Sequence, residues 1–152
     1  MVKTKKNIKE SFIFLLENKS FKDITIQNII DTALINRSTF YKYYKDKYDL
    51  AEQLSDEYIQ QAKSYLKDRF KETEDQDLVY VVKKIYAHLI QQKSYILSLW
   101  KIETDIINVY RDFESLLKES CKEYLLTEHK TEEIAADYHS SLYASVILTT
   151  IR

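Results

Sequence analysis

Apolar residues recur at three- and four-residue intervals along most of the chain, the period of amphipathic helices. Ile8, Phe12, Leu15 and Leu16 make the inner stripe of a first helix over about 4–18, with Lys3, Lys5, Lys6 and Lys9 at its outer, amino-terminal end. Ile26, Ile29, Ile30 and Ala33 repeat behind Thr25, a residue suited to cap a helix over about 26–33. A turn at Leu34-Ile35 leads to Asn36, the cap of a short helix over about 37–44. Phe40 and Tyr44 share one side of that helix, and Arg37, Ser38, Thr39, Tyr41, Lys42 and Tyr43 occupy the other. Asp46 caps a long helix from Lys47 to about Lys71, with Asp49 in its first turn. Its apolar track is Leu50, Leu54, Tyr58, Ile59, Ala62, Tyr65, Leu66 and Phe70. Beyond the acidic stretch 72–77, the best linker candidate, the period predicts helices over about 78–92, 94–101 (capped by Ser94), 105–126, and from Thr131 to the end.

Composition narrows the fold to one class. The chain has no Gly and no Pro among 152 residues, where average usage would give roughly ten and seven or eight. Sheets and tight hairpins lean on both residues and helices exclude them. The expectation is an all-α protein: an N-terminal three-helix helix-turn-helix head plus a C-terminal antiparallel helical bundle. Glycine-dependent phosphate loops and dinucleotide fingerprints are excluded. Net charge is −1, but it divides into +4 over residues 1–50 and −5 over 51–152. A basic head on an acidic body suits a protein whose head alone touches DNA. A single cysteine, Cys121, the lack of any apolar run of membrane-spanning length, and a lysine-rich start with no apolar signal core point to the cytoplasm and away from membranes.

Hydroxyls, amides and cations beside aromatic rings are what a duplex surface asks for, so residues 36–44 read as a recognition helix. Thr25, Asn36, Arg37, Ser38, Thr39, Phe40, Tyr41, Lys42, Tyr43, Tyr44 and Lys47 also follow the pattern of the TetR family of bacterial one-component regulators, which the chain resembles over roughly residues 4–55. Asn-Arg-Ser-Thr-Phe-Tyr with Lys-Asp-Lys-Tyr-Asp-Leu is most similar to the subgroup containing the dihydroxyacetone-kinase operon activator. One departure is the turn Thr32-Ala-Leu-Ile35, where the family usually has glycine. A non-glycine residue must then adopt the turn conformation, and Leu34 is best placed to do so.

The resemblance implies a DNA-binding domain over 1–46 and a helical effector-binding and dimerisation domain over 47–152, incomplete at its carboxyl end because the family normally continues through another helix. It implies that Arg37, Ser38, Tyr41 and Gln27 approach base edges, and that Thr25, Asn36, Thr39, Lys42, Tyr43 and Lys47 hold phosphates. At any single residue the division between base and phosphate stays open. The implied partners are a palindromic double-stranded operator, a second copy of the chain, and a small-molecule effector of unknown identity.

Nine tyrosines follow residue 50. Tyr58, Tyr65, Tyr86, Tyr95, Trp100, Tyr110 and Tyr143 fall among apolar positions, where they can line an effector pocket or serve as plain core. His88, His129 and His139 are too far apart in sequence for a local metal motif, and Cys121 reads as a small hydrophobe rather than a thiol sensor. With no nucleophile–base pair, carboxylate dyad or metal constellation visible, neither an enzyme nor a cofactor is expected. The rival to a DNA-binding regulator is a helical co-activator or adaptor that works through a protein partner.

Overall fold

Polar caps fix where the first helices begin. The structure, a computed structural model, describes residues 2–71 and 78–152; the candidate linker 72–77 lies outside them. Thr25 and Asn28 form a reciprocal capping box that opens α2, Ile26–Ala33. It follows α1, Val2–Asn18. Asn36 opens α3, Arg37–Tyr41, its Oδ1 accepting from the Thr39 amide at 2.8 Å. Asp46 opens α4, Lys47–Lys71, accepting from the amides of Tyr48 and Asp49, while the Asp49 carboxylate accepts from the Lys45 amide at 2.7 Å. Four helices complete the order: α5 Leu78–Gln91, α6 Lys93–Trp100, α7 Val109–Thr127 and α8 Glu133–Ile151. Among the described residues there is no strand; the protein is all-α.

Several expected boundaries move. Regular α3 ends at Tyr41, with turns carrying the chain to Tyr44. Ser94 does not cap α6 but lies inside it. The predicted start of α7 near Asp105 is wrong by four residues. Thr104 Oγ1 accepts from the amides of Ile106 and Ile107, and the Thr104 amide donates to Ile107 O, closing a local turn that competes with helix. Thr131 likewise does not cap α8, whose first flanking residue is Glu132 without a side-chain cap.

Two compact units result. The first gathers the chain through Tyr58 together with Ser94–Val109; the second holds Ile59–Lys93 and Tyr110–Arg152. In the first, α1 packs on α2 and α2 on α3, around buried Ile8, Phe12, Leu16, Ile29, Phe40 and Leu50. The α6 segment contributes to this unit with buried Ile96, Leu99 and Ile102. Ser94 Oγ donates to Glu17 Oε1, and Lys101 Nζ donates to Leu16 O at 2.6 Å and Glu17 O at 2.9 Å. A cation on the last carbonyls of α1 satisfies acceptors that the helix itself leaves open. In the second unit α5 packs on α8, and the core includes Leu66, Val81, Ile85, Phe113, Leu117 and Ile147. Cys121 is buried there, its thiol pushed up to about 11 by burial, which keeps it protonated and unreactive at neutral pH.

Candidate nucleic-acid interface

The short helix α3 is held from behind by aromatic rings. Phe40 and Tyr44 are almost wholly buried, their ring centroids 5.8 Å apart. A helix of five residues has little stability of its own, so this anchoring decides whether it exists. On the outer side Arg37, Ser38, Tyr41 and Lys42 are exposed. The Arg37 guanidinium lies 5.7 Å from the centre of the Tyr41 ring, and its Nη2 donates to the Tyr41 hydroxyl at 3.4 Å. Two long side chains are thereby presented as one planar, cationic surface.

The hydroxyls behave differently. Ser38 Oγ and Thr39 Oγ1 both donate to Asn36 Oδ1, at 2.8 and 2.7 Å. Their hydrogens hold the cap, and their oxygens keep acceptor capacity. Tyr43 is half-buried. On α2, Gln27 is exposed with its amide donating to Asp31 Oδ1 at 2.7 Å, and Thr25 is engaged in the capping box.

Lys47 is placed quite unlike a free phosphate ligand. Its ammonium donates to Phe21 O at 2.9 Å, Lys22 O at 3.1 Å and Ile24 O at 2.8 Å, below the rings of Phe21 and Tyr48. All three donors are engaged within the unit. Desolvation draws its pKa below the ordinary lysine value, with Asp23 partly opposing the shift. The ammonium thus ties the connection between α1 and α2 to the first turn of α4, the same turn that Asp46 caps. Asn7 Nδ2 adds a second tie, donating to Ala33 O at 2.7 Å.

Behind α3, the Tyr44 hydroxyl is buried and finds no protein partner. Burial, followed by the carboxylates of Glu57 and Asp49, pushes this phenol well above its ordinary range. A buried hydroxyl left unpaired costs about 1–3 kcal/mol. Tyr44→Phe keeps the ring and removes the unpaired group, so the variant is expected to melt roughly 2–4 °C higher for each kcal/mol recovered. Thermal unfolding followed by circular dichroism checks this, and a lower melting temperature shows that the hydroxyl is satisfied after all.

The expected effector residues divide between the two units. In the first, the Tyr58 and Tyr95 rings meet edge to face at 6.4 Å, and half-buried Trp100 belongs to the same unit. In the second, Tyr65 stacks on His88 with centroids 4.0 Å apart and the Arg69 guanidinium 5.3 Å from its ring. Desolvation, then Arg69, lowers the His88 pKa and favours its neutral form. Arg152 lies 4.2 Å from the centre of the Tyr110 ring, Tyr143 is half-buried and Tyr86 is exposed. An open concavity of about 420 Å³ on the first unit is lined by Asn18, Lys19, Ser20 and Lys101, with none of these aromatics in its wall. Among the described residues, no group of three or more His, Cys, Asp or Glu could hold a metal ion, and no helix is long and apolar enough to cross a membrane.

These elements define an all-α protein with a helix-turn-helix head. No family model matches the chain, and neither does any curated protein. Among solved structures, the dihydroxyacetone kinase operon activator DhaS has a similar fold, with a TM-score of 0.64 and 15% identity over 99% of this chain and 85% of that one. At that identity the likeness is one of fold, and the fold is TetR-like.

Proposed function

We propose that the protein is a sequence-specific, DNA-binding transcriptional regulator of the TetR type. The observation that carries this is α3 itself, anchored by buried Phe40 and Tyr44 while it displays Arg37, Ser38, Tyr41 and Lys42 outward. A helix of that kind seats its first residues on base edges in the major groove. The fold shared with an operon activator supports the same reading. Arg37, backed by Tyr41, supplies a fork for guanine, and Lys42 and Tyr43 supply phosphate contacts. Thr25, Asn36 and Thr39 hold the helix ends at the duplex, and Lys47 works by fixing the head rather than by touching a phosphate. No catalytic role is assigned to any residue.

We further propose a homodimer formed through α8. Ile134, Tyr138, Leu142 and Val146, spaced four apart, stand exposed on its outer side, a row of large apolar groups better covered than left in water. A two-fold axis through such a row pairs two recognition helices with the halves of a palindrome. Effector control belongs to this proposal as well. The Tyr58–Tyr95 pair lies on α4 and α6 within the head's own unit, where a flat ligand displacing one ring would shift α4 and change operator affinity.

The test is selection of duplexes from a random pool, followed by anisotropy titrations at several salt concentrations. Arg37→Ala is expected to cost about 1–3 kcal/mol and to relax discrimination at one base pair; Lys42→Ala is expected to weaken all duplexes alike and reduce the salt slope by about one. If both variants bind as the parent does, the surface has been misassigned. A pool that enriches nothing favours the adaptor.

A further inference from the structure

The turn between α2 and α3 shows a leucine where its backbone favours glycine. Leu34 has φ 53° and ψ 45°, in the left-handed region, one of two non-glycine residues with positive φ among the described residues. The conformation is firmly held. The Leu34 amide donates to Asp31 O and Ile30 O, and the Ile35 amide donates to Ile30 O at 3.2 Å. These bonds end α2 in a helix-terminating turn that glycine enters without strain and a side chain with a β-carbon does not. Burial of the side chain does not offset that strain, because Leu34 is 91% exposed. A large alkyl group therefore stands in water on a fixed backbone, two residues before the cap of α3.

Its surroundings indicate what it would meet. No Lys or Arg occurs between Ile24 and Asn36. The nearest charge on α2 is the Asp31 carboxylate, exposed and paired with Gln27. This strip of the head therefore has no cation for a phosphate. What it offers a duplex is an amide, hydroxyls and one alkyl group. The apolar feature of a base edge in the major groove is the thymine 5-methyl.

We propose that Leu34 is a specificity-determining DNA contact, its side chain packing against a thymine methyl beside the base pairs approached by α3. This rests on the DNA-binding reading above and adds a base preference that the row on α3 does not supply. Strain in the unbound turn is then balanced by contact made only on the correct sequence.

Leu34→Gly and Leu34→Asn, both at ease in the left-handed region, test it on the full chain. Each variant is expected to melt at or above the parent's temperature. Each should bind the duplex selected by the parent about fivefold more weakly per half-site, the effect of losing one methyl-sized apolar contact. The salt slope should not change, since no ion pair is lost. Replacing thymines one at a time by deoxyuridine, which removes only the methyl, should at one position weaken the parent by the same factor and leave the variants unaffected. Unchanged binding by both variants overturns the proposal, as does a loss that couples to no thymine. A lowered melting temperature in both also overturns it, because leucine would then be packed rather than displayed. If the parent selects no duplex, the regulator reading and this proposal fall together; a selected duplex that the variants bind unchanged removes this proposal alone.

Discussion

Phe40→Ala is expected to destabilise the head by about 3–5 kcal/mol and abolish operator binding. Phe40 is 0% exposed, with its ring edge-on to Tyr41 at 5.6 Å and tilted against Tyr44 at 5.8 Å. Two losses combine on truncation. One is the apolar surface and cavity term of any large core residue; the other is the anchor of α3, too short to remain helical undocked. Phe40→Leu keeps apolar bulk and should recover most of the stability. Chemical unfolding of the three proteins gives the comparison. If alanine melts with the parent, α3 is rotated from the orientation described here.

Val146→Glu should leave each chain folded and separate the proposed dimer, weakening self-association about a hundredfold or more. Val146 is 50% exposed at the end of the row begun by Ile134. Buried Ala136, Ser140, Ala144, Ile147, Leu148 and Ile151 secure the other side of α8. The substitution therefore spares the intramolecular core. Across a two-fold axis it introduces two carboxylates into one apolar contact, where like charges placed together cost several kcal/mol. Affinity for a palindrome should collapse while affinity for a half-site falls little. Sedimentation velocity of parent and variant gives the primary readout. A parent that sediments as a soluble monomer at all concentrations disproves the dimer, and with it the palindrome.

What could be read from sequence follows the range of the interactions involved. The bounds of α2 and α4 were legible because their caps, Thr25 and Asp46, act on amides within three residues. Leu34 could be singled out for the turn because the chain has no glycine to offer. The outward row of α3 followed from Phe40 and Tyr44 sharing a face. The start of α7 was not legible, because Ile106 fits a helical stripe and only the Thr104 hydroxyl diverts the chain into a turn. Ser94 resembles a cap, yet its hydroxyl finds Glu17, 77 residues away. Lys47 was the hardest case. Its acceptors are backbone carbonyls 23–26 positions earlier, and no residue type announces a carbonyl.

The bond from Lys101 to Leu16 joins residues 85 apart, and it lies inside the same compact unit as α2 and α3. On a ribosome α3 emerges long before the lysine that closes α1. Residues 1–58 made alone would lack both that closure and buried Ile96, Leu99 and Ile102. Such a loop is entropically slow to close, so the head should complete its folding late, after residue 109 has been made, even though its sequence comes first. During synthesis, the proposed competence to bind DNA would thus be deferred until much of the rest of the chain exists.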